Sequence, residues 1–260
     1  MSTKAAQDTR SEAQVAARLS RIRIVLINTT HPGNIGAAAR AMKVMGLCNL
    51  HLVTPKTFPN ADATAMASGA DDVLHQAVVH ESLDSALAGC SLVMGTSARI
   101  RSLSMPQLDL RKAAENALGE ESTQEIAILF GRERYGLTND EMQRCHQLVH
   151  IDTNPEYGSL NLAQAVQVMS YELRMAVTNE ASVEKPSLDW VPVDAGQMEL
   201  FYQHLEQTLL DIKFLNPEQP KKLMMRLRRL FNRSRPDQNE INILRGILAA
   251  SQRGTVSKDE

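Results

Sequence analysis

Three short stretches carry side chains able to position a ligand. The first, HPGNIGAAAR (31–40), follows the apolar run IRIVLI (22–27) and opens a helical pattern. Its Gly33 and Gly36 fit neither G-x-G-x-x-G nor a P-loop, and no Lys-Ser or Lys-Thr pair follows, so neither a dinucleotide nor a triphosphate is indicated. Asn34 suits an N-cap, because its side chain can accept from a free first-turn amide. Gly36 and Arg40 are four apart and share a helical face. Gly36 leaves room there and Arg40 projects a planar fork of donors, which suits an anionic or hydroxyl-rich ligand. A capped helix with one solvated arginine fits the same residues. The second stretch, FGRERYGLTNDE (130–141), has Gly131 and Gly136 flanking charge. The third, TNPEYGSLN (153–161), ends with Ser159 and Asn161 at a helix start, where free amides and capping side chains are on offer. The loop TSARIRS (96–102) adds Arg99 and Arg101. Ordinary turn chemistry accounts for any one of these. Four such loops on one edge of a sheet make a site.

The elements that must hold these loops alternate. β-rich runs are expected at 22–28, 49–55, 91–97, 125–131 and 148–152, with a weaker one at 72–77. Helical patterns occupy 36–45, 81–89, 108–119, 138–145 and 160–178. Gly46 and Gly119 fall where C-caps belong, and Thr138 with Glu141 reads as a capping box. Such alternation predicts an α/β fold, a mostly parallel sheet with helices on both faces, whose ligands lie beyond the carboxyl ends of the strands. Residues 1–20 read as a mobile tail, 21–178 as the α/β domain and 179–195 as a linker. A small all-helical C-terminal extension (196–260) has helices expected at 198–212, 217–233 and 238–253.

Composition narrows the function classes. With 260 residues, 43% hydrophobic content and a net charge of −2, the chain suits a globular protein whose nucleic-acid contacts would be a local patch. No apolar run approaches a membrane span, and no secretory signal is read at the N-terminus. The three cysteines, Cys48, Cys90 and Cys145, are far apart and odd in number, so neither a disulfide framework nor a metal site is expected and a cytoplasmic location is the default. Residues 221–235 contain seven basic residues and no acid. On a helix, Lys222, Arg226, Arg229 and Arg233 form one stripe, with Leu223, Leu227, Leu230 and Phe231 on another side. That pattern fits phosphate contact as well as a solvated amphipathic helix.

Three motifs taken together, N-x-G-x-x-x-R (34–40), F-G-R-E-x-x-G-L (130–137) and N-P-x-Y-x-S-L-N-x-A-x-A-V (154–166), resemble those of the SpoU branch of the SPOUT RNA methyltransferases in residue types, order and spacing. The resemblance covers roughly residues 20–178. It implies a C-terminal trefoil knot, S-adenosylmethionine as methyl donor and a homodimer with the site near the subunit interface. Carried over by motif, Thr96, Ser97, Ala98, Gly131, Ile151, Gly158, Ser159 and Leu160 would line the cofactor pocket. Position 158 is Gly where serine also occurs, and a backbone contact survives that change. Arg40 is the family's candidate for activating a ribose 2′-hydroxyl. An arginine pKa above ~12 makes it a poor base, so a clamp on the developing alkoxide or a neighbouring phosphate suits it better. Ser159 would orient the hydroxyl or relay its proton. Asn34, Arg99 and Arg101 would meet the target nucleotide.

The helical tail resembles the extension of one subgroup, the tRNA ribose methyltransferases acting on nucleotide 32 of the anticodon loop. The resemblance therefore implies tRNA, with neither DNA nor a membrane, as the partner. Two rivals stand beside this reading: a 2′-O-methyltransferase of ribosomal RNA or another tRNA position, and a non-catalytic RNA-binding module.

Overall fold

The computed structural model describes residues 11–97, 105–119, 124–179, 191–218 and 222–256. Seven strands form one sheet: β1 (Ile22–Ile27), β2 (Asn49–Val53), β3 (Val78–His80), β4 (Cys90–Ser97), β5 (Gln107–Asp109), β6 (Glu125–Phe130) and β7 (Gln147–His150). Their order is β3-β2-β1-β6-β4-β7-β5, and every pairing is parallel. All carboxyl ends therefore lie on one edge. β7 is inserted between two strands that precede it in the chain, which fits the knotted C-terminal half implied by the family resemblance.

The strands are near-continuous apolar runs because both faces of the sheet are covered. Ile22, Ile24 and Leu26 of β1, with Ile126, Ile128 and Phe130 of β6, point into one core. Val25, Ile27, Ala127 and Leu129 point into the other. The first core is closed by α1 (Glu12–Leu19), α2 (Pro32–Met45), α3 (Ala61–Ala67), α4 (Asp71–His75), α6 (Leu110–Gly119) and α8 (Leu162–Asn179). On the second lie α5 (Leu83–Leu87) and α7 (Asn139–Gln143). Three further helices, α9 (Ala195–Asp211), α10 (Leu223–Ser234) and α11 (Gln238–Val256), pack around Phe201, Tyr202 and Ile241.

The structure corrects several expectations. Residues 11–20 are not a tail: Ser11 caps α1 through a capping box, and Val15 and Leu19 are buried in the main core. The segment 72–77 is largely helix α4, and the adjacent strand starts later, at Val78. Helix α2 begins at Pro32, four residues earlier than its pattern suggests. Proline suits a first helical turn because the missing N–H has no partner there anyway. Gly46 ends α2 in the left-handed region (φ 85°), and Thr138 with Glu141 forms the capping box at α7. Leu230 is exposed, so it does not share the packed side of α10 with Leu227 and Phe231.

Candidate active site

The loops after β1, β6, β4 and β7 leave four adjacent strands on the same edge. What joins three of them is a carboxylate. Glu133, in the loop after β6, accepts from the backbone amides of Thr30 (3.1 and 3.2 Å) and His31 (3.1 Å) and from the Asn34 side-chain amide (3.0 Å). Asn34 in turn accepts from the side-chain amide of Asn161 (2.9 Å). Asn161 also accepts from the Ala163 amide (2.8 Å), so it caps α8 while holding α2. Asn34 is therefore not the N-cap of α2. That position belongs to His31, whose side chain makes no capping bond, and Glu133 supplies the missing acceptor from another loop. A negative charge at this end also complements the helix dipole. Burial opposes the charge on Glu133. The hydrogen bonds from its own amide, Asn34, His31 and Thr30 outweigh that and hold the carboxyl below its ordinary value.

The Glu133 loop is itself tightly closed. Arg132 and Gly136 exchange backbone bonds of 3.1 and 2.8 Å, and Gly136 sits at φ 66°. A side chain on Gly131 would fall within 2.1–2.4 Å of the backbone of Gly136 and Leu137, so glycine is required by the turn itself. Arg132 reaches back to Glu141 (2.9 and 3.0 Å), tying the turn to α7. At the end of β4, the Thr96 hydroxyl donates to the Leu129 carbonyl (2.8 Å), and the Ser97 carbonyl lies 3.2 Å from His150 Nδ1. Buried Cys145 and half-buried His146 are structural. Burial pushes the thiol far up, His146 Nδ1 accepts from the Val93 amide (3.0 Å), and burial with the Arg235 charge brings that imidazole down to about 4.

Gly36 does not open α2 to a ligand. A Cβ there would lie 1.9 Å from the Ala63 carbonyl oxygen and 2.9 Å from the Ala67 nitrogen, so this glycine lets α3 pack onto α2. Arg40 is exposed and has no partner among the described residues. Val44, four residues on from Arg40 in α2, and Val168 and Tyr171 of α8, which packs on α2, are exposed as well. In the loop after β7, Ser159 is exposed, and the backbone amides of Ser159 and Leu160 have no partner among the described residues. Thr153 donates to the Gly158 carbonyl (3.4 Å), and Ile151 is half-buried beside β7. Ala98, Arg99 and Arg101 lie outside the described residues. The residues that sequence reasoning missed are Glu133 and His150. Glu133 stood inside a quoted motif, but nothing local shows that its acceptors serve an amide pair a hundred positions away.

The helical extension is docked on the second face of the α/β domain. Glu199 of α9 takes both guanidinium nitrogens of Arg228 (2.6 and 2.8 Å) and also pairs with Arg144, which reaches Asp84 at 3.0 Å. Arg228 lies over the Tyr202 ring at 4.4 Å, and the Tyr202 hydroxyl donates to Asn232 (2.6 Å). Asn232 donates to the carbonyls of Gln143 and Cys145 (3.3 Å each). A small cavity of about 30 Å³ at this junction is lined by the same ion pairs and lies away from the strand-end loops. Lys222, Arg226, Arg229 and Arg233 are all exposed, and none has a partner among the described residues.

A parallel sheet with three motif loops bonded together at its carboxyl edge, and an exposed arginine on the helix that one of them opens, defines a class. The profile of the SpoU rRNA Methylase family matches residues 21–171, and the chain belongs to that family. Residues 196–260 match the profile of the tRNA methyltransferase TrmJ C-terminal domain. The chain is 54% identical over 244 residues to a tRNA (cytidine/uridine/adenosine-2'-O-)-methyltransferase TrmJ of Pseudomonas aeruginosa, covering 90% of this chain and 95% of that one. It is 51% identical to a tRNA (cytidine/uridine-2'-O-)-methyltransferase TrmJ of Photorhabdus laumondii, over 90% of this chain and 98% of that one. Its fold is similar to the crystal structure of TrmJ from Z. mobilis, with a TM-score of 0.78 and 34% identity over 88% of this chain and 97% of that one.

Proposed function

We propose that this protein transfers a methyl group from S-adenosylmethionine to the ribose 2′-hydroxyl of nucleotide 32, a cytidine or uridine, in the anticodon loop of tRNA. The observation that carries the reading is Arg40: a guanidinium with no partner among the described residues, on the helix whose first turn is bonded to both other motif loops through Asn34, Glu133 and Asn161. The relatives' names and the match of the extension support tRNA over ribosomal RNA as the substrate.

The strand-end residues fit the donor. Amides at Ser159 and Leu160 with no partner among the described residues suit a ligand read by backbone contacts. Thr96, Ser97, Ala98, Gly131, Ile151, Gly158, Ser159 and Leu160 would hold it. When bound, S-adenosylmethionine supplies an electrophilic methyl group on a sulfonium. Ser159 orients the acceptor hydroxyl. Arg40 clamps the ribose-phosphate and stabilises the negative charge that develops on the 2′-oxygen, which a fixed guanidinium does with little reorganisation. Asn34, Arg99 and Arg101 contact the target nucleotide. Positioning supplies much of the rate.

The extension works as an RNA-binding unit, its stripe of Lys222, Arg226, Arg229 and Arg233 meeting phosphates. Exposed Val44 on α2 and Val168 and Tyr171 on α8 support a homodimer that covers part of these two helices. The same reading places the enzyme in the cytoplasm, and among the described residues no helix is long and apolar enough to cross a membrane.

The test is methyl transfer to tRNA, followed by mapping of the modified nucleotide. Nucleotide 32 should gain a ribose methyl group. A tRNA with 2′-deoxyribose at that position should bind and gain none. Arg40→Ala should keep cofactor binding in a calorimeter and lose most transfer. A methylated base in the deoxy substrate, or near-normal turnover by Arg40→Ala, contradicts the mechanism.

A further inference from the structure

Two of the most exposed large hydrophobic side chains among the described residues stand on the loops of the candidate site. Tyr135 is 74% exposed and Tyr157 is 81% exposed. Tyr135 is at the tip of the turn closed by Arg132 and Gly136, two residues from Glu133, with the Arg134 guanidinium 6.0 Å from its ring. Tyr157 sits in a turn closed by its amide on the Asn154 carbonyl (3.0 Å) and by the Glu156 amide on the Asn154 side chain (3.0 Å). That turn lies four residues before Asn161. Both rings are thus carried by short hydrogen-bonded turns tethered to one node, Glu133–Asn34–Asn161.

Single exposed apolar groups are ordinary on a surface. Two aromatic rings on hydrogen-bonded turns, one of them beside the Arg134 guanidinium, are a different arrangement. A ring held out into solvent has lost little by being ordered, because its turn is ordered already. It presents a π-face to whatever flat group arrives, and a nearby guanidinium adds a cation that stacks on rings and attracts phosphate. Unpaired nucleobases are flat, have π-faces and are joined by phosphates, and single-stranded RNA is commonly held by such stacking.

Resting on the proposed function, we infer that Tyr135 and Tyr157 form a stacking platform for unpaired bases beside the target nucleotide. They hold the loop open so that the ribose faces Arg40 and Ser159. Stacking tolerates any base, so the platform selects an unpaired loop over a helix and leaves base identity to other contacts. The hydroxyls of the two tyrosines are not required, because the ring face makes the contact.

The experiment uses the full-length dimer and intact tRNA carrying 2-aminopurine next to the target nucleotide. Wild-type protein should quench the probe on binding. Tyr157→Ala and Tyr135→Ala should each quench less and raise KM for tRNA about tenfold, the usual loss for one stacked base, with little change in kcat. Tyr157→Phe and Tyr135→Phe should restore both readouts. S-adenosylmethionine binding by calorimetry and the dimer mass should match wild type throughout. If Tyr157→Ala disturbs its turn and loses the cofactor, Tyr135→Ala decides the matter, since its turn is closed by backbone bonds. Unchanged KM and quenching in that alanine variant would overturn the inference. So would phenylalanine variants as impaired as the alanines, or alanine variants that dissociate the dimer. Wild-type protein that methylates no tRNA at all would instead remove the functional reading beneath it, and that outcome is seen before any variant is made.

Discussion

Replacing Glu199 by glutamine should loosen the extension from the α/β domain. The carboxylate is 14% exposed and Arg228 is 15% exposed, so the pair is well shielded from water. Glu199 accepts two bonds from Arg228 and pairs with Arg144. Breaking a fully buried pair from one side costs about 3–5 kcal/mol. Here the loss is smaller, because glutamine keeps one acceptor and Asp84 still pairs with Arg144 at 3.0 Å. We expect about 2–3 kcal/mol, or roughly 5–10 °C in Tm for a chain of this size. The pH dependence has a definite sign. Burial disfavours the Glu199 charge, but the hydrogen bonds and charge of Arg228, with the charge of Arg144, outweigh it and lower the carboxyl from its ordinary 4.5. A depressed carboxyl contributes stability above its unfolded value, and that contribution is lost as pH falls below about 4.5. Urea unfolding of wild type and Glu199→Gln from pH 7 to pH 3 should therefore show a gap that closes at acid pH. The double variant Glu199→Leu, Arg228→Met should recover much of the loss, because no unpaired charge is left behind. A Glu199→Gln protein as stable as wild type at pH 7, or a gap that widens in acid, would refute the reasoning.

Other expectations follow from the same geometry. Gly36→Ala should destabilise by about 1–3 kcal/mol in thermal unfolding, since the new methyl meets the α3 backbone at Ala63, with cofactor affinity the less affected quantity. Glu133→Gln should cost about 1 kcal/mol at pH 7, measured by urea unfolding, with the difference again fading below about pH 4.5 because this carboxyl too is lowered. Charge reversal at Arg226 and Arg229 should weaken tRNA binding and flatten its salt dependence in a filter-binding titration, because fewer counterions are released.

Much of the fold was legible because its signals are local. The strands at 22–27 and 125–130 are unbroken apolar runs, Gly46 marks a helix end, and Thr138 with Glu141 marks a helix start. The alternation of these elements also brings the four loops to one edge, so the place of the site could be read before its contacts. The misreadings arise where a residue answers to something distant. Gly36 looked open because α3, with the sequence ADATAMA, is too short and alanine-rich to announce a helix, and it is the α3 backbone that fills the space. Asn34 looked like a cap because its real partners, Glu133 and Asn161, are 99 and 127 positions away. The segment 11–20 reads as a tail because Val15 and Leu19 are its buried residues and its other anchors, such as the Arg174–Glu12 ion pair, join positions far apart in the chain. Arg228 and Arg229 make the same point within one helix. Consecutive residues on a helix point about 100° apart, so they meet different surroundings. Arg228 is taken by Glu199 and fixes the extension to the catalytic domain, whereas Arg229 is left exposed on the stripe with Arg226 and Arg233. The pair reads identically in the sequence, and the position of one glutamate on another helix decides which arginine holds the protein together and which is left on the surface.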